Sequence, residues 1–160
     1  MKRIFVSVLC ICIMCTLCGC RKIKEYNSDD EYVAQVRQLV DDTVKYTRIW
    51  QEYDEKFNCR DTETSKEYIS VLDNIEEICK KLLMLTPSQK FDDNDVSVKE
   101  YAGELLSVTS DIKNHVEYSV KISDDMLFSR EKEELFEMYK TSYENLTNAS
   151  QYLQTFWRNA

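Results

Sequence analysis

Glycine and proline are almost missing from this chain, with two and one among 160 residues, and histidine occurs once. Tight turns draw on glycine and proline to reach backbone angles that other residues avoid, so a β-sandwich or barrel lacks its turn material here. Past residue 20 only Gly103 and Pro87 remain. Such a composition points to long helices.

The scarcity of histidine narrows the chemistry as well. His115 has Asp111 one helical turn before it and Ser119 one turn after, an acid–base spacing. General acid–base catalysis also needs a nucleophile or a substrate site beside the histidine. None accompanies it, and His115 reads as a helix-surface residue. Di-metal bundles need Glu three residues before His on two helices, and Ile112 holds that place. A phosphate-binding loop, a dinucleotide motif, a nucleophile elbow and a paired-cysteine zinc motif are all missing from the sequence. Asp93, Asp95, Ser97 and Glu104 occupy the first, third, fifth and twelfth places of a calcium loop, but Val98 stands where that loop requires glycine. That stretch reads as an ordinary acidic loop. The expectation is a non-catalytic protein without cofactor or metal.

The apolar residues and cysteines that the rest of the chain lacks crowd its start. Lys2 and Arg3 precede an apolar run from Ile4 to Leu17, and Gly19 stands directly before Cys20. Positive start, short apolar run and small residue at a cut point make the order of a secretory signal. The run falls short of the roughly 20 residues that span a hydrocarbon core. Leu17-Cys18-Gly19-Cys20 resembles the lipobox of bacterial lipoproteins. The resemblance implies a diacylglycerol on the Cys20 thiol, palmitate-type acylation and cleavage just before that residue. It also implies lipid-anchored display on the outward, extracytoplasmic face of the bacterial cell membrane. It covers the targeting segment alone. The chain then divides into a signal peptide (1–19), a lipidated cysteine with its tether (20–28) and a helical domain (29–160).

Removal of residues 1–19 leaves 141 of the 160 residues, enough for one domain with its own core. The leader carries Lys2, Arg3 and no acid, so the net charge moves from −8 to about −10. Such an acidic body repels phosphate backbones, which excludes nucleic acid as a partner. Arg21, Lys22 and Lys24 beside the anchor form either a solvated flank or an attraction to an anionic leaflet, about 1 kcal/mol per charge.

Along the domain, apolar residues recur at spacings of three and four. Ser28 or Asp29 can cap a first helix carrying Val33, Val36, Val40, Val44, Trp50 and Tyr53 and ending near Phe57; Thr43 and Thr47 interrupt its stripe but are small enough to pack. Thr64 and Glu67 have the spacing of a capping box for a second helix with Tyr68, Leu72, Ile75, Cys79 and Leu82 on one face. Pro87 stops it. A link over 86–95 follows, with Phe91 expected to fold onto the bundle end. A third helix runs from about Val96 to Ile122, weakened at Gly103 by about 1 kcal/mol relative to alanine. A fourth runs from Ser129 to about Trp157 on a heptad seam of Leu135, Tyr139, Ser142, Leu146, Ala149, Leu153 and Phe156. Four such helices with short polar links suit an all-α, antiparallel up-down four-helix bundle.

Two readings of function follow. The first is a lipid-anchored, non-catalytic bundle that binds a protein or another envelope component. Its candidate partner surface is Met126-Leu127-Phe128, three apolar residues in the Ile122–Phe128 connection that should be polar. They either plug the open bundle end or form a docking knob at the tip away from the membrane. The second is a small-ligand sensor or carrier with a pocket between helices near Thr43, Thr47 and Thr109. Of the tyrosines, Tyr32, Tyr53, Tyr68, Tyr101, Tyr139 and Tyr143 lie on or beside core stripes, whereas Tyr46, Tyr118 and Tyr152 lie off them and are open to a partner. Cys79 should fill the core, and Cys59, in a loop, should be an exposed thiol too distant to pair with it.

Overall fold

Each amphipathic stripe of the sequence becomes a helix. The computed structural model describes residues 29–86, 92–124 and 126–159. They form α1 (Asp29–Asp54), α2 (Thr62–Leu83), α3 (Asp92–Ile122) and α4 (Met126–Asn159), with no strand among the described residues. Successive helices run antiparallel, each packs against its neighbours in sequence, and α1 closes the ring against α4. The result is the expected up-down four-helix bundle. Cys20, the tether and Phe91 lie outside the described residues.

The helix ends depart from the expectation where local electrostatics outweigh apolar periodicity. Asp29, Asp30 and Glu31 fill the first turn of α1, where carboxylates meet the positive end of the helix dipole. Its last turn tightens before Phe57, whose N–H donates to Asp54 O three residues back at 3.3 Å. Asp61, not Thr64, caps α2: its Oδ1 accepts from the Glu63 and Thr64 N–H groups at 3.0 and 3.3 Å. Thr64 instead donates its hydroxyl to Asp61 Oδ2 at 2.8 Å. These bonds, led by that hydroxyl, hold the Asp61 carboxyl below its ordinary range. α3 begins four residues early, because the run from Asp92 to Asp95 suits a first helical turn better than a loop. α4 likewise begins at Met126, which leaves three residues between it and α3.

α3 ends in a Schellman turn, with Ser123 N–H donating to Val120 O at 3.2 Å and Asp124 N–H to Ser119 O at 3.1 Å. Ser123 sits at φ 54°, in the left-handed region that glycine occupies without strain. Gly103, by contrast, is mid-helix, and a Cβ there would meet nothing within 4 Å. The two residues are therefore each in the other's place. Gly103→Ala and Ser123→Gly should each raise stability by roughly 0.5–1 kcal/mol, measured by urea unfolding.

The core is apolar over most of its length, with Tyr32, Leu72, Ile75, Leu105, Ile112, Leu146 and Leu153 fully buried. Burying a side chain of that size contributes roughly 1.5–3 kcal/mol. Cys79 fills the core as expected, and burial pushes its thiol up to about 12. Cys59 is buried as well, which corrects the expectation of an exposed thiol. Its loop folds inward because Asn58 O accepts from the Asp61 N–H at 2.9 Å and from the Ser65 hydroxyl at 3.2 Å. Both cysteines are free.

One charge is buried among the apolar residues. Glu76 on α2 pairs with Lys80 at 2.9 Å, with Lys113 of α3 at 3.2 Å, and accepts the Ser110 hydroxyl at 2.8 Å. Burial pushes its carboxyl up, but the hydrogen bonds from Lys80, Ser110 and Lys113 outweigh that and hold it below its ordinary value. A carboxyl depressed by folding contributes stability above its unfolded pKa and loses it as pH falls through the folded one. Stability should therefore drop as pH falls below about 4.5. In the Glu76→Gln variant this acid-dependent loss should shrink, which thermal melts across that pH range would read.

Candidate functional site

The polar core positions of the ligand reading are occupied by the protein itself. Thr43 donates to Leu39 O at 3.0 Å, Thr47 to Thr43 O at 2.8 Å and Thr109 to Leu105 O at 2.6 Å. The carbonyl one turn back satisfies each hydroxyl, the usual way a buried threonine is accommodated in a helix. Thr43 and Thr109 are wholly buried. Thr47 makes a further contact that leads out of the core, to the Tyr139 hydroxyl of α4 at 2.6 Å.

That contact marks the inner wall of a groove of about 580 Å³ between α1 and α4. These two helices meet less extensively than the other neighbouring pairs, so their seam is the least closed of the four. The wall is aromatic. Trp50 lies 4.6 Å from the Tyr139 ring and 4.7 Å from Phe136 between centroids, and Tyr143 stacks on Tyr139 at 6.4 Å. Behind it Trp50 meets Tyr68 of α2 edge-on at 6.4 Å. Offset and edge-on arrangements of this kind suit the ring quadrupoles and add about 0.5–1.5 kcal/mol per pair. Burial pushes the Tyr139 and Tyr68 hydroxyls above their ordinary pKa, so both stay protonated as donors. The Trp50 indole N–H is buried towards the Tyr68 hydroxyl, whose pKa it lowers against the larger effect of burial.

The rim is charged and mostly acidic. Gln51 and Asp54 of α1 and Glu55 just after it line one side, and Glu137, Lys140 and Glu144 of α4 the other. Asp54 is held in place, accepting from the Tyr68 hydroxyl at 3.1 Å and pairing with Lys132 at 2.7 Å. The same ammonium stands 5.0 Å from the Phe136 centroid, within cation–π range. Lys132 thus meets ring and carboxylate together, and Glu55, Glu137 and Glu144 add further negative charge along the rim.

The remaining sequence candidates fall in several places. Met126, Leu127 and Phe128 belong to the first turn of α4 instead of a loop, because the helix begins there; their side chains lie outside the described residues. The segment from Asp93 onward is helical, which is not the geometry of a calcium loop. His115 Nε2 lies 3.1 Å from Glu131 of α4, a surface contact bridging two helices. Tyr118 and Tyr152 are exposed, whereas Tyr46 is part-buried against the core, with the Lys45 ammonium 5.6 Å from its ring.

Of the expected pocket positions Thr43, Thr47 and Thr109, only Thr47 lines the groove, and the aromatic side chains Trp50, Tyr139 and Tyr143 around it were expected on core stripes. The available signal was the flanking set: Phe136, Tyr139 and Tyr143 recur at helical spacing on α4 beside three charged positions. Comparison with known proteins finds no matching family model, no matching curated protein and no matching solved structure.

Proposed function

We propose that this protein is a bacterial lipoprotein, anchored by a lipid on Cys20 on the outward face of the cell membrane, whose bundle binds a partner in the α1–α4 groove. The lipobox resemblance supports the anchor and the groove supports the binding. The observation that carries the binding reading is the groove at the α1–α4 seam, where the part-buried Phe136 and Tyr143 lie beneath Glu55, Glu137 and Glu144. Its chemistry fits a segment of a partner protein bearing Lys or Arg beside apolar side chains, since the cation meets carboxylates and rings together. A photocrosslinking residue at Gln51 in the full chain, in its native envelope, tests this. The expected product is a discrete adduct whose mapped peptide is basic. Equal adducts from a control at Glu117, on the exposed side of α3, or none from Gln51, would contradict the reading.

A second reading, a small-ligand sensor or carrier, draws support from the size of the groove, which lies in the range of small-molecule sites. It predicts a mass gain of a few hundred daltons in native mass spectrometry of the purified protein, in place of a peptide adduct.

A further inference from the structure

The exposed apolar side chains are gathered unevenly along the bundle. Of the eight large ones exposed among the described residues, Leu83, Met84, Val96, Tyr152 and Phe156 lie within about two helical turns of one end. Val96 and Tyr152 are 62% and 63% exposed. This end is where α1 begins and α4 finishes, as the 2.6 Å bond from the Trp157 indole N–H to Asp30 fixes. Only eight residues, 21–28, separate it from Cys20. Fully extended, such a segment reaches at most about 29 Å.

We propose that this end of the bundle rests on the lipid surface, with Tyr152, Phe156 and Trp157 seated among the headgroups. The inference rests on the lipid anchor at Cys20. Tyr152 brings a polar tip that favours the membrane–water interface, Phe156 adds apolar area, and Trp157, part-buried against the core with its N–H held by Asp30, lies alongside them. Asp29, Asp30 and Glu31 stand at the same end, so the contact is apolar and not a charge attraction to an anionic leaflet. It holds on zwitterionic phosphatidylcholine, which has no net charge, and persists at high salt. Docked in this way, the bundle presents its other half outward, where Trp50, Gln51, Asp54 and Glu55 line the groove.

The two tryptophans make the test direct, since Trp50 lies in the half away from this end and Trp157 at it. The mature lipidated protein is reconstituted into phosphatidylcholine vesicles containing lipid brominated near the top of the acyl chain. Part of the tryptophan emission should be quenched, the quenching should be lost in Trp157→Phe, and it should fall in Tyr152→Glu/Phe156→Glu with helical content unchanged. Protein that floats with the vesicles but shows no Trp157 quenching overturns the inference and leaves the anchor standing. Absent Trp157 quenching together with concentration-dependent shielding of Trp157 would assign the face to a second copy and overturn it too. Protein that fails to float removes the anchor, and the inference falls with it.

Discussion

Trp50→Ala should destabilise the bundle by about 3–5 kcal/mol, the range for truncating a large buried aromatic. Trp50 is 3% exposed and touches three rings from two other helices: Tyr68 of α2, and Phe136 and Tyr139 of α4. Its removal leaves a cavity where α1 and α4 already meet least extensively, so little neighbouring structure can collapse into it. Trp50→Phe should cost markedly less. It keeps most of the ring contacts with Tyr68, Phe136 and Tyr139 and leaves a smaller cavity. Urea unfolding of both variants measures the difference. Equal losses would mean that the aromatic wall does not hold the α1–α4 seam.

Cys20→Ser should abolish membrane attachment. A serine offers no thiol to the acylating step, so the chain should either leave the membrane fraction or remain unprocessed with residues 1–19 attached. Two acyl chains suffice for stable anchoring, and the basic residues Arg21, Lys22 and Lys24 cannot replace them at roughly 1 kcal/mol each. Fractionation combined with labelling by a fatty-acid analogue reads the outcome. A Cys20→Ser chain labelled as strongly as the wild type would refute the anchor. The melting temperature of the bundle should not change, because Cys20 precedes its first helix by eight residues.

The sequence made the helices legible because their burial is periodic. The stripe from Val33 to Trp50 and the seam from Leu135 to Leu153 face the core, whereas Phe156, expected to end that seam, is exposed near the end of α4; the one-glycine, one-proline domain left no competing architecture. Helix ends were less legible, because Asp61 beats Thr64 as a cap by local geometry, which periodicity does not encode. Glu76 was missed for a different reason. It sits next to Ile75 on the core face, where a carboxylate is tolerated only because Lys113 and Ser110 arrive from another helix. The buried Cys59 and the groove are tertiary in the same sense. Each depends on residues that meet across the bundle, and no spacing along one helix announces such a meeting.

The proposed anchor requires one covalent bond, and the most direct test is the mass of the N-terminal peptide of the full chain taken from its native membrane. The account predicts a peptide that begins at Cys20 and carries a diacylglyceryl group on its sulfur. A peptide that still contains residues before Cys20, or a Cys20 with a free thiol, would contradict it.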